Sequence, residues 1–313
     1  MCVAFWSLKH PVYSLILCSN RDEYLSRPTA NAHFHSFEPI GHAEDEERKV
    51  LSGRDILAGG TWAGVNRSGR VALLTNITEP PAKYTSSRGE LTSSFLLPRT
   101  PAARLHNEVD RLVSENGTFA GFNLLLLAPR IEHVEGGYRV HFDAALVTNS
   151  GGGGTITARD LSEAERRCGG LSNGIDSAGA DEWPKVKKGR QALQALLETA
   201  ADGMSEPQLV ERLFELLTWT CDPAPVDRAA LRNTIQADPI VAKWQVTPSS
   251  DPKEYYGTRL ATVLLIRRDG SVCFVERDVW MLDLHGDVMK ADAKNQQRVF
   301  HFQLDLDTRS DCP

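Results

Sequence analysis

The chain has 313 residues, with 35 Lys and Arg against 41 Asp and Glu, for a formal net charge of −6. No stretch carries the dense Lys/Arg stripe that a nucleic-acid surface requires, so a DNA- or RNA-binding role is not expected. Six cysteines, Cys2, Cys18, Cys168, Cys221, Cys273 and Cys312, are scattered without a C-x-x-C pair; this speaks against a zinc site or disulfide framework and fits a reducing compartment.

Val3–Leu8 and Val12–Ser19 are rich in aliphatic and aromatic residues on either side of Lys9-His10-Pro11 and read as a hairpin. Both are apolar on both faces, as strands covered by a layer on each side are. The break at Lys9-His10-Pro11 comes too early for a secretory apolar region. The later run Phe122–Pro129 is too short to span a bilayer. An intracellular protein that is not an integral membrane protein is therefore expected. Position 2 is not Gly, and Asp311-Cys312-Pro313 is not a prenylation box. The polar segment Ala43–Lys49 reads as a solvated loop. Between Gly59 and Asn76, two short strands are joined by the turn Asn66-Arg67-Ser68-Gly69. Helices follow at Leu91–Leu97 and Ala102–Glu115, then strands at Phe122–Ala128 and Val140–Val147. Gly151–Gly154 reads as a hairpin tip before Thr155–Thr157, because it lacks the spacing and following helix of a phosphate cradle. Apolar periodicity predicts helices at Val186–Ala200 and Glu206–Trp219, the second with Leu209, Leu213, Leu216 and Leu217 on one face. Strands return at Arg259–Arg267 and Val272–Glu276, with Gly270 in the turn. Strand runs thus open and close the chain around central helices. That order predicts an α+β fold in one domain spanning 1–313, with sheets from both chain ends side by side. The stretch past Arg277 carries no recognised element and reads as an extension.

Cys2 is the most informative residue. If Met1 is removed, the Cys2 α-amine, with an unperturbed pKa of about 7.7–8.0, can serve as base for its own thiol. Taken alone, Cys2 reads as a small buried strand residue. The tetrad Asn20-Arg21-Asp22-Glu23 taken alone reads as an ion-pair cluster at a strand end. Asn66 and Asn76 read as turn and strand-end residues. Trp62 and Trp183 read as core or pocket walls, and Tyr255-Tyr256 as pocket lining or packing. His33, His35 and Tyr24 are conceivable haem ligands, although a surface His-x-His is usually solvated and no C-x-x-C-H attachment site is present.

In chain order, Cys2, Asn20-Arg21-Asp22-Glu23, Gly60-Thr61-Trp62-x-Gly64-x-Asn66, Arg88-Gly89-x-Leu91, Gly121-Phe122-Asn123-Leu124-Leu125, Leu171-Ser172-Asn173, Trp183-Pro184-Lys185-Val186 and Tyr256-Gly257-Thr258-Arg259 resemble the NRDE family, the transport and Golgi organization protein 2 family. The resemblance runs from the first residue to about Arg277. That family is in turn similar to the N-terminal-nucleophile (Ntn) cysteine hydrolases related to bile salt hydrolase and penicillin V acylase. The resemblance implies a four-layer α-β-β-α sandwich, with the strand that starts at Cys2 central in one sheet. It implies Cys2 as nucleophile, the Gly64–Gly69 hairpin ending in Asn76, Asn173 as a later site residue and Arg259 as a late-strand arginine. The usual Arg-x-x-Asp element is replaced by Asn20-Arg21-Asp22-Glu23, so the acid is Asp22 or Glu23. Arg21 or Arg259 would then lower the thiol pKa. Asn173 Nδ2 and a backbone N–H near Asn76 would face an oxyanion. Cys2, Arg21, Asp22 or Glu23, Asn76, Asn173 and Arg259 are expected around one pocket. The resemblance further implies handling of haem or acyl-CoA as an amphipathic cargo, with haem as cargo rather than required cofactor and Cys2 a potential thiolate ligand. It also implies Golgi or secretory organisation, with mitochondria a further location. Two classes stand: a cysteine hydrolase cleaving an amide or thioester, and a binding protein that keeps the pocket without turnover.

Overall fold

The computed structural model describes residues 1–37, 49–80, 82–98, 104–114, 117–200, 203–242, 254–292 and 296–306. Its N-terminal hairpin forms where the apolar pattern puts it: β1 (Val3–Ser7) and β2 (Tyr13–Tyr24) pair antiparallel, with Val3 opposite Asn20. β2 does not stop at Ser19. It continues through the charged tetrad because a partner strand from the far end of the chain supplies its ladder.

β3 (Thr29–His35), β4 (Val50–Asp55), β5 (Ala63–Asn66) and β6 (Val71–Asn76) follow as antiparallel neighbours. The β5–β6 turn is the expected one. The Asn66 side chain accepts the Arg70 N–H at 2.8 Å, and Gly69 sits at φ 88°, a conformation glycine adopts without steric cost. α1 (Arg88–Leu96), capped by the Ser87 hydroxyl, and α2 (Leu105–Val113) precede the long hairpin β7 (Phe122–Val134) and β8 (Gly137–Thr148). β9 (Thr157–Asp160) pairs with β8 across the Gly151–Gly154 tip. Then come α3 (Glu163–Arg167), β10 (Gly169–Leu171), α4 (Pro184–Ala200), α5 (Glu206–Leu217), β11 (Ile240–Val241), β12 (Tyr255–Arg267), β13 (Ser271–Asp278), β14 (Trp280–Leu282), β15 (Val288–Lys290) and β16 (Gln297–Gln303). Most of the expected loop Ala43–Lys49, the ends of the expected helix Ala102–Glu115 and Cys312 lie outside the described residues. No described helix is long and apolar enough to cross a membrane.

Fourteen of the sixteen described strands form two seven-stranded sheets, and β14 and β15 pair as a separate two-stranded one. One runs β10-β1-β2-β12-β13-β16 with β11 on β12; the other runs β3-β4-β5-β6-β7-β8-β9 in chain order. Between them lies a core that includes Ala4, Trp6, Leu15, Leu17, Leu73, Leu125, Leu127, Leu264 and Phe274. The outer face of the first sheet packs Val3, Phe5, Ile16 and Cys18 against Leu193, Leu209, Leu213 and Leu217 of α4 and α5. The outer face of the second packs Leu124 and Leu126 against Leu91, Phe95 and Leu112 of α1 and α2. The layer order is α-β-β-α, as expected. Each fully buried Leu contributes about 1.5–3 kcal/mol, so the two-faced apolar strands follow directly from being covered on both sides.

Two expectations need correction. β1 is not central: β10 adds outside it, and β2 and β12 form the middle of the sheet. The stretch past Arg277 is not a mere extension, because β16 pairs with β13 along its whole length, from Ser271 opposite Gln303 to Arg277 opposite Gln297.

The seam between α4 and β1 is tight at Gly189, where an added Cβ would lie 1.9 Å from Phe5 Cζ. Alanine favours a helix interior over glycine by about 1 kcal/mol, yet overpacking costs about 1–3 kcal/mol. Gly189→Ala should therefore lower the urea midpoint, and Phe5→Leu in the same chain should recover part of the loss. A midpoint that rises in Gly189→Ala would show that Phe5 yields without cost.

Candidate active site

Strand alternation sorts the N-terminal residues between two faces. In β1, Val3 and Phe5 face the helices while Ala4 and Trp6 face the second sheet. The same alternation in β2 sends Ile16 and Cys18 to the helices and Leu15 and Leu17 inward. The tetrad is split accordingly. Asn20 and Asp22 point to the helix side, and Arg21 and Glu23 to the inter-sheet side.

Asp22 is the hub. Its Oδ1 accepts the Thr258 hydroxyl at 2.6 Å, and its Oδ2 lies 3.4 Å from the Met1 ammonium. Its backbone carbonyl faces the Cys2 thiol at 3.8 Å and accepts the Tyr256 hydroxyl at 3.0 Å. Tyr256 also receives the Met1 amine. The Met1 carbonyl accepts Lys185 Nζ at 2.7 Å, and the Cys2 carbonyl accepts the Ser172 hydroxyl at 2.8 Å. Burial dominates the protonation of this corner. It pushes the Cys2 thiol up, against the opposing pull of the adjacent ammonium. It lowers the Met1 amine despite Asp22 and holds Lys185 down at about 8.

A cleft of about 290 Å³ opens over Cys2, with Met1, Arg21, Asp22, Glu23, Asn76 and Asn173 among its lining residues. Arg21 stacks 4.0 Å above the Trp62 ring and donates to Thr29 Oγ1 at 3.1 Å. Gly60 and Gly89 bring the loop before β5 against the start of α1: a Cβ on Gly60 would lie 2.6 Å from the Gly89 carbonyl carbon. The two motifs Gly60-Thr61-Trp62 and Arg88-Gly89 are thus one wall. Arg27, Arg88 and Arg228 also line the cleft, so its surface is more polar than an apolar ligand pocket.

The structure brings Cys2, Arg21, Asp22, Glu23, Asn76 and Asn173 together and leaves others outside. Asn20 is not in the cleft. Its Nδ2 donates to the Leu217 and Ile235 carbonyls at 2.9 and 3.1 Å, because alternation turns it toward α5. Arg259 is displaced by a bulge, since Thr258 pairs with Asp22 while Leu260 pairs with Arg21. Bulges re-aim side chains, and its guanidinium donates to the Arg27 and Tyr24 carbonyls and to Thr29 Oγ1. Burial and the nearby Arg21 charge lower it to about 10. It fixes the β2–β3 connection that carries Arg27 and shares Thr29 with Arg21. Asn173 Nδ2 donates one of its N–H groups to the Asn76 carbonyl. Asn76 lines the cleft, and its carboxamide has no hydrogen-bond partner among the described residues. His33 and His35 lie on β3, away from the cleft lining. His35 is held by Ser52 at 2.9 Å, and burial lowers it to about 3.

The sequence offers Lys185 and Thr258 only as parts of motifs, and Tyr256 as pocket lining or packing; Tyr256 does line the cleft. A lysine at the second position of an amphipathic helix reads as solvated; only the fold shows it fully buried.

Lys185 titrates near 8 when folded, against 10.5 as the ordinary value. Between these values the unfolded chain binds more protons, so stability rises with pH across that window. Lys185→Met should lack this contribution. Denaturant titrations at about pH 7.5 and about pH 10 should show a larger gain, or smaller loss, for the parent than for the variant. An equal response would show that charged Lys185 is not destabilised by burial.

The sequence pattern of the family described as Transport and Golgi organisation 2 matches residues 1–281. The Transport and Golgi organization protein 2 homolog of Bos taurus is 29% identical over 290 residues, covering 89% of this chain and 93% of that protein. The Homo sapiens homolog of the same name is 28% identical over 303 residues, covering 91% and 95%. Among solved structures, the Caenorhabditis elegans N-acylethanolamine-hydrolyzing acid amidase ortholog aligns at 11% identity with a TM-score of 0.48, covering 84% of this chain and 92% of that chain. With the match extending over β1 to β13, the chain belongs to the Transport and Golgi organisation 2 family.

Proposed function

We propose that the protein is a cysteine hydrolase of the N-terminal-nucleophile type, cleaving an amide or thioester through Cys2 once Met1 is removed. The observation that carries this reading is the thiol of Cys2 lining a cleft, with the buried Asp22 carboxylate 3.4 Å from the Met1 amine and Asn76, whose carboxamide is unpartnered among the described residues, lining the same space. In this mechanism the neutral Cys2 α-amine takes the proton of Sγ. The thiolate attacks the carbonyl carbon, and the oxyanion accepts a hydrogen bond from Asn76 Nδ2. The ammonium returns the proton to the leaving nitrogen or sulfur as the tetrahedral intermediate collapses to an acyl-thioester on Cys2. Water, deprotonated by the same amine, then releases the acid. Asn173 acts through Asn76 by holding its carbonyl, and Arg21 offsets the thiolate charge. A cavity of about 290 Å³ lies at the lower end of ligand pockets, about 300–1,000 Å³. That size suits the reacting end of a substrate such as acyl-CoA, with the rest outside. Such an intracellular activity on acyl groups fits the transport and Golgi organisation in the relatives' names.

One observation favours a second reading, a carrier of acyl-CoA or haem without turnover. Met1 is 4% exposed and its presence leaves Cys2 without a free amine. In that reading Cys2 Sγ or the Tyr24 hydroxyl, both from residues lining the cleft, would be the iron ligand, since His33 and His35 lie elsewhere.

The experiment uses protein whose Met1 removal is established by intact mass, incubated with acyl-CoA and model amides while product is followed. Turnover is expected in the processed protein and absent in Cys2→Ala. Asn76→Ala should lower kcat by about 10²–10³. Turnover surviving in Cys2→Ala overturns the nucleophile; none in processed protein favours the carrier. Haem binding lost in Cys2→Ala would mark thiolate ligation.

A further inference from the structure

Met1 is held at three points, each by a buried side chain. Its ammonium meets Asp22 and the Tyr256 hydroxyl. Its carbonyl accepts Lys185 Nζ at 2.7 Å. Its side chain packs with Leu231 and Ala237, flanked by Trp183, Ile240 and Tyr256, and its sulfur accepts the Thr78 hydroxyl at 2.9 Å. Asp22, Lys185, Leu231 and Ala237 are all buried. The slot is therefore built by the folded chain from α4, β2, β12 and the 3₁₀ turn Ala230–Asn233, rather than by Met1 alone. Met1, Thr78, Asp22 and Tyr256 also line the cleft above Cys2, so the slot is reached from the same opening as the thiol.

A carboxylate for an α-ammonium, an ammonium for an α-carbonyl and an apolar recess for a straight side chain are together the recognition elements of an α-amino acid. Among the described residues, the Met1 carbonyl is the one acceptor that Lys185 has. Removal of Met1 would leave a fully buried ammonium without it, which is costly. A ligand bringing a carboxylate or carbonyl to that point restores the bond.

We propose that in the chain lacking Met1 this slot recognises an α-amino acid or α-aminoacyl group with an unbranched apolar side chain. The ammonium would sit on Asp22 and Tyr256, the carboxylate or carbonyl on Lys185, and the side chain against Leu231, Ala237 and Trp183. The inference rests on the hydrolase reading only where it names the acyl part of the substrate as α-aminoacyl.

Calorimetric titration of Met1-free protein with L-methionine and L-norleucine tests it. Both should bind. N-acetyl-L-methionine, which lacks the ammonium, and L-glutamate, which brings a charge to the recess, should bind at least about tenfold more weakly. Protein retaining Met1 should bind neither amino acid, because its own residue fills the slot. Lys185→Met should lose the affinity, and the ligand series on the unchanged chain decides the matter where that variant fails to fold. No binding of L-methionine to Met1-free protein, equal binding of N-acetyl-L-methionine, or equal binding to Met1-retaining protein overturns the proposal. Cys2→Ala lacking Met1 should still bind L-methionine. Turnover of amides without L-methionine binding would overturn the slot and leave the hydrolase. L-methionine binding without any turnover would leave the slot and overturn the hydrolase.

Discussion

The pairing of β2 with β12 is the constraint on which the rest depends. It joins residues from the two ends of the chain, from Tyr24 opposite Tyr256 to Tyr13 opposite Arg267. Closing so long a loop has an entropic cost that grows slowly with its length, and the ladder with its buried side chains offsets it. At the site end of that ladder, Asp22 lies opposite Thr258 and accepts its hydroxyl. Tyr256, two residues earlier, reaches the Asp22 carbonyl and the Met1 amine. The carboxylate, the amine and the thiol therefore owe their mutual positions to one register. The bulge at Arg259 belongs to the same device, since it turns a cation out of the ladder to brace the segment that carries Arg27 and Thr29.

The second sheet contributes by a different route. The end of β6 meets the loop after β10 through hydrogen bonds across the sandwich. Thr75 donates to the Ser172 carbonyl at 2.7 Å, and Asn123 donates to the Ser172 and Gly174 carbonyls at 3.2 and 2.8 Å. The Thr78 N–H binds the Asn173 carbonyl at 2.8 Å. These bonds hold Asn76 and Asn173 beside Cys2 without an apolar core at that edge. Polar satisfaction takes the place of packing here because a cleft has to stay open.

A buried charge ties the sheets together farther along. Glu276 on β13 is 1% exposed; it accepts the Ala32 N–H of β3 at 2.8 Å and pairs with Arg298 of β16 at 3.0 Å. Burial still raises its pKa despite Arg298. A pair of this kind is weak evidence for net stability, but losing one partner would strand the other. Arg298 lies beyond residue 281, where the family match ends. β16 thus completes an interaction that begins inside the matched region.

The sequence by itself determined the local structure. Apolar stretches on both faces marked β1 and β2 as covered strands, Asn66 and Gly69 marked a tight turn, and Leu209, Leu213 and Leu217 marked the buried face of α5. The ordered short motifs also pointed to Cys2, Arg21, Asp22, Asn76 and Asn173 as neighbours, and these do share one cleft. The rest is not a local property. β3, with His33 and His35 on a polar strand, shows no strong period, and its pairing with β4 decides its state. Asn20 and Asp22 differ in surroundings although they share a face, because one meets α5 and the other the Met1 corner. Arg259 left the site through a bulge, which no residue type announces. Lys185 looks like a solvated helix residue until α4 closes over β1. Side-chain alternation and periodicity are written in the chain. Register, bulges and what covers a face arise only when distant segments meet, and in this protein those are the features that place the amine, the carboxylate and the thiol together.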